Sequence, residues 1–395
     1  MQIGAELPEM HNTSRELHTA FVDVVKVRFV EIIYMEYLFN DVLEIKNGKN
    51  QKLVENPEGL YPIYGSGGII GYADKYICEA NTVIIGRKGS INNPIYVSEP
   101  FWNVDTAFGL SPKQDLLLPR YLFYFCKNYN FEKLNKTVTI PSLTKADLLK
   151  IQIDLPSIDE QKRIVDELIK VETIINLRNY QVQQLDDLIK ARFVEMFGNP
   201  LDKSKANMYF VECVEFNPKK SEVRDLMCET VSFVPMECVG ADGSFKIKED
   251  GLVKDYYKGY TYFKNGDVLL AKITPCFENG KVAIAENCTN GIGFGTTEFH
   301  VSRPIPGVSN SHWIKYMLKN EHVHELATIN MTGSAGQKRI QTPFFEKLKI
   351  YLPPIKLQNQ FADFVAQIDK SNATVQKALD ETQLLFDSLM QQYFG

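Results

Sequence analysis

The sequence has 395 residues, 44% of them hydrophobic and 24% charged, a composition typical of a water-soluble protein with two or three folded domains. The formal net charge of −5 argues mildly against a stand-alone nucleic-acid-binding protein, which is usually basic. No apolar stretch reaches the roughly 18 to 20 residues of a membrane-spanning helix, and the N-terminus lacks the pattern of a secretion signal. Seven cysteines with no CxxC pair favour reduced thiols over a disulfide framework or a zinc site. We therefore expect a cytoplasmic protein.

Residues 1–36 precede the main repeating pattern and are expected to form an N-terminal helical extension. Within them "VVKVRFVEI" (24–32) is similar to "LIKARFVEM" (188–196) further along the chain. Two interpretations stay open. The similarity could arise by chance between two amphipathic helices, or the segment could be a third, partial copy of a repeated helix that packs beside the others.

Residues 37–154 are expected to form a domain with three polar or basic loops. The stretch "IYGSGGIIGY" (63–72) places glycines between aromatic residues, which allows a close approach of backbone to a ligand. The loops "GRKGS" (86–90) and "SLTKAD" (142–147) add basic and hydroxyl side chains suited to phosphates and base edges. Each loop alone is more often a solvated turn, but similar loops recur later in the chain. The predicted DNA-binding residues of this domain are Tyr64, Ser66, Arg87, Lys88, Ser90, Ser142, Thr144 and Lys145.

A long amphipathic helix is predicted over residues 155–198, beginning after Pro156 and ending at Gly198. Its apolar residues recur at alternating steps of three and four over five heptads, which is the pattern of a coiled coil. About 38 helical residues at 1.5 Å per residue give a rod roughly 57 Å long. The residues assigned to helix pairing and partner contact in this rod are Ile164, Leu168, Val171, Ile175, Leu185 and Ile189.

The second half of the chain repeats the first. Residues 155–198 align on 352–395 without a gap, so that Leu-Pro, a Gln five residues after that Pro, and a terminal Phe-Gly all recur. Equal length and matched ends argue against two unrelated amphipathic helices. The corresponding residues of the second rod are Phe361, Val365, Ile368, Leu379 and Phe386.

The segments before the two rods are also similar. Residues 81–97 resemble 265–285, residues 105–112 resemble 296–303, and residues 120–134 resemble 312–326. Residues 199–351 are therefore expected to form a second domain of the same kind. Its predicted DNA-binding residues are Lys272, Thr274, Gln337, Lys338 and Arg339.

Sequence motifs of catalytic sites are missing. There is no GxxxxGK[ST] phosphate loop, no HExxH, no GxSxG and no Asn/Asp-Pro-Pro-aromatic tetrapeptide of amino-methyltransferases. No metal site is predicted, because His322 and His324 lie on different faces of the helix expected there. Residues 1–40 and the two rods together carry a net charge of −7, so the two domains are weakly basic, which suits a phosphate-facing surface.

The chain resembles the specificity (S) subunits of type I restriction–modification enzymes. The resemblance rests on the "LPSIDEQKRIVDELI" and "LDDLIKARFVEMFG" segments of the first rod and on "YPIYGSGGIIGY" and "GQKRI…LKIYLPP", and it extends over nearly all of residues 37–395. It implies an α+β fold: two mixed α/β target recognition domains (37–154 and 199–351) separated by two long antiparallel coiled-coil helices (155–198 and 352–395) in a pseudo-twofold internal repeat.

The resemblance also implies a function without catalysis in this chain. Each domain would read one half of a split site in double-stranded DNA, and the helices would act as a ruler of roughly 17 base pairs. Two DNA adenine methyltransferase subunits would dock on the helices, and whether a restriction subunit joins them stays open. S-adenosylmethionine, Mg and ATP would be bound by partner subunits and no cofactor by this chain. The alternatives are a stand-alone DNA-modifying enzyme and a coiled-coil adaptor with no role on DNA.

Overall fold

The computed structural model describes residues 33–135, 141–334 and 336–395. Within this part the chain divides into two compact units. The first unit contains the chain up to Asn179 together with Lys377–Gly395, and the second contains Tyr180–Gln376. Of the extension predicted over residues 1–36, residues 1–32 lie outside the described part of the chain. Its end was predicted wrongly, because Met35 and Glu36 belong to a strand of the first unit.

The first unit is built from two small sheets, a strand pair and helices. Its strands are β1 (Met35–Leu38), β2 (Leu43–Asn47), β3 (Tyr61–Gly65), β4 (Gly68–Ala73), β5 (Thr82–Gly86), β6 (Ile95–Val97), β7 (Trp102–Asn103), β8 (Ala107–Pro112) and β9 (Gln152–Leu155). Its helices are α1 (Phe39–Val42), α2 (Pro119–Asn128), α3 (Lys145–Leu148) and the first part of α4 (Ile158–Phe197). The sheets have the strand orders β2-β8-β5-β6 and β4-β3-β7, and β1 pairs with β9. The central strand β5 is buried throughout, in keeping with its Thr-Val-Ile-Ile sequence.

The second unit repeats this plan. Its strands are β10 (Met208–Tyr209), β11 (Val214–Phe216), β12 (Thr230–Val234), β13 (Glu249–Leu252), β14 (Thr261–Lys264), β15 (Val268–Ala271), β16 (Val282–Ile284), β17 (Ile292–Gly295), β18 (Phe299–Pro304) and β19 (Lys349–Ile350). Its helices are α5 (Val253–Tyr256), α6 (Ser311–Leu318), α7 (Glu321–Ile329), α8 (Thr342–Glu346) and the first part of α9 (Ile355–Phe394). The sheet β11-β18-β15-β16 matches β2-β8-β5-β6 of the first unit, and β10 pairs with β19 as β1 does with β9. The fold class expected from the sequence is therefore confirmed.

The long helices α4 and α9 have 40 residues each, about 60 Å at 1.5 Å per residue. Their first residues, like their last residues, lie 197 positions apart in the chain. Gly198 follows α4 with a φ of 69°, the left-handed conformation that ends helices and favours glycine. From the sequence, the two helices are expected to be segments separate from the domains, but in the structure they are not. Each is divided between the two units, and its apolar residues complete the core of each unit.

The repeated Gln joins each long helix to its unit. Gln161 is fully buried; its Oε1 accepts a hydrogen bond from Leu118 N at 2.9 Å, and its Nε2 donates to Leu116 O at 2.9 Å and to Pro156 O at 3.1 Å. In the second unit the fully buried Gln358 makes the same three bonds, from Asn310 N and to the carbonyls of Val308 and Pro353. In each unit this one side chain accepts a hydrogen bond from the backbone N–H at the N-cap of a shorter helix, α2 in the first unit and α6 in the second. It also fixes the start of the long helix, α4 in the first unit and α9 in the second.

The sheets show that one sequence alignment was shifted by one residue. Strands β8 and β18 both have six residues, so Ala107 corresponds to Phe299 and Phe108 to His300. The sequence comparison had placed Phe108 on Phe299, which would put equivalent side chains on opposite faces. With the corrected register, the pair Thr82 and Ser111, which share a hydrogen bond of 2.9 Å, corresponds to the ion pair of Asp267 and Arg303.

Candidate nucleic-acid interface

In the first unit two of the predicted loops lie side by side. The turn after β5 and the segment before α3 are joined by two backbone hydrogen bonds, from Leu143 N to Arg87 O at 2.9 Å and from Gly89 N to Pro141 O at 3.1 Å. Leu143 is buried in the core and anchors the arrangement. We call residues 86–90 and 141–143 the first loop pair. It brings together Arg87, Lys88, Ser90 and Ser142, four of the residues selected from the sequence.

The second unit contains an equivalent loop pair, formed by residues 272–274 and 337–340. Ile340 N donates to Lys272 O at 2.9 Å, and Thr274 N donates to Lys338 O at 2.9 Å. Ile340 is fully buried and takes the place of Leu143. These bonds fix the equivalence of the two units residue by residue, so Arg87 corresponds to Lys272 and Ser142 to Arg339.

The basic side chains of the first loop pair are exposed. The Arg87 guanidinium lies 5.8 Å from the ring centroid of Phe108 and donates from Nη1 to Asp105 O at 3.4 Å. Lys88 and Ser90 are exposed as well. The hairpin between β3 and β4 lies against this loop, since a Cβ atom on Gly86 would lie 3.2 Å from Ser66 Cβ and 2.3 Å from Ser90 O. Only glycine fits at position 86, and Ser66 is thereby placed beside the loop pair.

Three other residues selected in the first unit have partners inside the fold. The ring of Tyr64 packs against Phe101 with centroids 5.4 Å apart, and burial raises the pKa of its phenol. Thr144 caps α3, accepting a hydrogen bond from Asp147 N at 3.1 Å and donating to Asp147 Oδ2 at 2.8 Å. Lys145 Nζ donates to Ile45 O at 2.6 Å. These three side chains are therefore engaged within the fold.

The second loop pair has a carboxylate at its centre. Glu298, which the sequence did not single out, receives Arg339 in a fork: Nε lies 3.0 Å from Oε2 and Nη2 lies 2.8 Å from Oε1. Hydrogen bonding from Arg339 holds the pKa of Glu298 below its usual range, so the carboxylate stays ionised. The residue at this place in the first unit is Thr106: its carbonyl accepts from Arg87 N as that of Glu298 does from Lys272 N. The shifted alignment concealed this, because it set Glu298 on Ala107.

The other residues of the second loop pair differ in accessibility. Gln337 and Lys338 are exposed. Thr274 donates its hydroxyl to Glu278 Oε1 at 2.7 Å, and Lys272 is half-buried, with a pKa lowered by that burial. His300 connects the second loop pair to the core, because its Nε2 donates a hydrogen bond to Ile340 O at 2.9 Å. Burial lowers the pKa of His300 to about 4.

The helix-pairing residues divide between the two units. In the first unit Ile164, Leu168 and Val171 of α4 pack with Phe386 of α9, and Ile175 is partly buried beside them. Arg178 Nη1 contacts Thr382 Oγ1 and Ala378 O, and Tyr393 donates its hydroxyl to Glu167 Oε2 at 2.7 Å, so the two helix segments run antiparallel.

In the second unit Ile189 lies in one core with Phe361 and Val365, against which Ile368 packs partly buried. Phe361 also contacts Phe193 and Phe197, with ring centroids 5.4 and 5.6 Å away. The spacing of three and four residues, continued from Ile189, would place Arg192 and Met196 in the seam, whereas the buried residues here are Phe193 and Phe197. Leu185 of the second unit and Leu379 of the first are half-buried.

Within the described ranges, no helix is long and apolar enough to cross a membrane. The same residues contain no group of three or more His, Cys, Asp or Glu side chains that could hold a metal ion.

Two units with matching sheets, matching loop pairs and paired long helices define an internally duplicated protein of mixed α and β structure. The sequence profile of the family described as type I restriction modification DNA specificity domain matches residues 34–186 and 229–383. The chain belongs to this family.

Curated relatives include specificity subunits of type I restriction enzymes. The chain is 40% identical over 184 residues to the type I restriction enzyme EcoAI specificity subunit of Escherichia coli and 41% identical over 187 residues to the EcoEI specificity subunit of that organism. Both alignments cover 45% of this chain and only 30% and 31% of the relatives. The type I restriction enzyme MjaVIII specificity subunit of Methanocaldococcus jannaschii is 24% identical over 365 residues, or 83% of this chain and 84% of that protein.

Solved structures agree on the fold. The crystal structure of a type I restriction–modification system S subunit from M. genitalium has a TM-score of 0.57 at 16% identity, covering 94% of this chain and 98% of that one. A second structure, from a study of complex assembly and conformational transition of a type I system, has a TM-score of 0.52 at 14% identity and covers 93% and 99%. At these identities the likeness concerns the fold alone.

Proposed function

We propose that this chain is the DNA sequence-specificity subunit of a type I restriction–modification complex and that it reads a bipartite site in double-stranded DNA, one half with each unit. The observation that supports this most directly is the coincidence of two separate family matches with two equivalent loop pairs. Each pair presents exposed basic side chains, Arg87 and Lys88 in one unit and Lys338 in the other, beside hydroxyl or amide groups. Such a mixture suits phosphates together with base edges.

The proposal extends to partners. The two long helices lie 197 residues apart in the chain, and each starts at an equivalent set of hydrogen bonds around a buried glutamine, Gln161 or Gln358, which we call the Gln-centred junction. A duplicated surface is suited to binding two copies of one partner, and we assign that role to two DNA adenine methyltransferase subunits. Methylation, and cleavage where a restriction subunit is present, would then take place in the partners, which would bind S-adenosylmethionine, Mg and ATP. We place this assembly in the cytoplasm.

Exchange of one recognition segment tests the proposal. Residues 37–154 are replaced by the corresponding segment of another specificity subunit, and methylated bases are mapped in cells that express the chimera with its methyltransferase subunit. The expected result is that one half of the recognised site changes, while the other half and the spacer stay as in the parent. A chimera that changes both halves would contradict independent reading by the two units.

The purified chain alone, incubated with DNA, Mg and S-adenosylmethionine, serves as the control for catalysis. We expect neither methylation nor cleavage until methyltransferase subunits are added. Activity of the isolated chain would instead favour a stand-alone DNA-modifying enzyme.

A further inference from the structure

Arg339 of the second loop pair is held in one orientation by its neighbours. Its Nε and Nη2 face both oxygens of Glu298, at 2.8 to 3.2 Å, and Nη1 donates to Gln337 O at 3.0 Å. Its backbone is fixed as well, because Arg339 N donates to Thr332 O at 2.8 Å and Thr332 N donates to Arg339 O at 3.0 Å. An arginine in such a setting loses little further conformational freedom when it binds a ligand.

The same side chain remains partly accessible. The side chain is 35% exposed. A guanidinium has five N–H donors in a plane, and the bonds to Glu298 and Gln337 engage three of them. One N–H on each of Nη1 and Nη2 has no partner among the residues that the structure describes. Two adjacent donors in one plane match the O6 and N7 atoms of guanine, and also two oxygens of a phosphate.

The ion pair with Glu298 makes Arg339 better suited to a base edge than to a phosphate. The negative charge of Glu298 partly cancels the positive charge of Arg339, which weakens the sequence-independent attraction to the DNA backbone. The direction of the remaining N–H groups is unaffected, and direction is what distinguishes one base edge from another. Lys338 lies next in the chain, is exposed and makes no ion pair among the described residues, so it is better suited to a phosphate.

Among the described residues of the first unit there is no such arrangement. The backbone equivalence of the loop pairs places Ser142 where the second unit has Arg339, and Thr106 where it has Glu298. The nearby Arg87 donates to a single carbonyl, at 3.4 Å, and has no carboxylate partner among the described residues. The fork is therefore a property of the second unit.

We propose that Arg339 reads a guanine in the half-site recognised by the second unit and that Glu298 is a positioning residue for it. This inference rests on the proposed function, since it assumes that the chain reads DNA. It adds a particular base, a particular side chain and a difference between the two half-sites.

The experiment uses the complex of the full chain with its methyltransferase subunits. Methylation rates are measured on duplexes that carry the recognised site and on duplexes with each half-site base pair replaced in turn. The second unit's half-site is first identified by exchanging residues 199–351. The variants are Arg339→Gln, Arg339→Lys, Glu298→Gln and the double variant, with Lys338→Gln as the control that removes the same charge from the same loop.

We expect Arg339→Gln to lose about 5- to 150-fold in discrimination at one guanine of the second half-site and to leave the first half-site unchanged. Arg339→Lys keeps the charge but lacks the fork, so it should lose discrimination at that same guanine. Glu298→Gln should relax the same position by a smaller factor, and the double variant should match Arg339→Gln, because Glu298 acts only through Arg339. Lys338→Gln should weaken binding about equally on all duplexes and lower the salt dependence by about one phosphate contact.

Other outcomes separate the inference from the proposed function. A second half-site without guanine, or an Arg339→Gln variant that weakens all duplexes equally as Lys338→Gln does, would overturn the reading of guanine while leaving the specificity-subunit function in place. A relaxed position in Glu298→Gln that differs from the one in Arg339→Gln would overturn the positioning role. A wild-type complex that methylates without sequence preference would instead overturn the proposed function. Circular dichroism and co-purification with the methyltransferase subunit verify that each variant is folded and assembled.

Discussion

Equivalent positions in the two units carry different side chains in different environments, and His300 is an example. It occupies the strand position that Phe108 has in the first unit, between Phe216 and Phe345, with ring centroids 5.2 and 5.3 Å away. Its Nε2 donates to Ile340 O, so an imidazole replaces a phenyl ring where the second loop pair meets the core. Because burial disfavours the charged form, the pKa of His300 falls to about 4.

This environment predicts an acid-sensitive second unit. A histidine whose pKa is about 6.5 unfolded and about 4 folded stabilises the fold fully above pH 6.5, and that contribution is lost as the pH falls toward 4. The loss is up to about 3 kcal/mol of unfolding free energy. Denaturant unfolding of the full chain between pH 7 and pH 4 measures it. The control is His300→Phe, which copies Phe108: it should be less stable at pH 7, because Ile340 O loses a donor, but it should depend less on pH. Equal pH dependence of the two proteins would contradict the prediction.

At the scale of elements, the sequence predicted the long helices and polar or basic loops at matched places in both halves, but not the pairing of these loops or the contacts that give each residue its role. Positions along a helix follow from its own periodicity, and Ile164, Leu168 and Val171, chosen on that basis, lie in one core with Phe386. Toward the end of α4 the buried residues shift to Phe193 and Phe197, because an α-helix drifts against a strict heptad pattern. The fork between Arg339 and Glu298 joins residues 41 positions apart in the chain. Periodicity holds no information about such a contact, and a shift of one residue in β18 concealed it.

From the Gln-centred junctions we predict that replacing either glutamine destabilises only the unit that contains it. Gln358→Met keeps most of the side-chain volume but leaves Asn310 N and two carbonyls without their partner. The expected loss is about 2–4 kcal/mol of unfolding free energy, since buried polar groups without a partner are costly. Gln161→Met should do the same in the first unit. Hydrogen exchange measured by mass spectrometry should show lost protection at the start of α6 in one variant and of α2 in the other.

Gln183→Met is the matched control, because Gln183 is an exposed glutamine of the same helix α4. It should change stability by less than about 0.5 kcal/mol. Loss of protection in both units from a single junction variant would show that the junctions do not act separately.

At the scale of the whole molecule, the long helices belong to both units, and this leads to a prediction about the recognised site. Seven residues inserted after Asn179 and seven after Gln376, where the chain passes from one unit to the other, would preserve the heptad pattern. Each helix would lengthen by about 10 Å, equivalent to about three base pairs. We expect methylation mapping to show the same two half-sites with a spacer longer by about that amount.

The same seven residues inserted after Asn50, outside both helices, provide the control and should leave the spacer unchanged. A spacer that stays the same after the double helix insertion would contradict the proposed role of α4 and α9 in setting it.

The two cross-strand pairs in the central sheets have a consequence for how a duplicated chain folds. Thr82 faces Ser111, whereas the fully buried Asp267 faces Arg303 at 2.9 Å. If a strand from one half mispaired with the similar sheet of the other half, Asp267 would meet a hydroxyl and Arg303 would meet a threonine. Leaving one partner of a buried ion pair alone costs about 3–5 kcal/mol. A neutral pair in one half and an ionic pair in the other therefore penalise strand exchange within the chain, so each half is directed to assemble with its own strands.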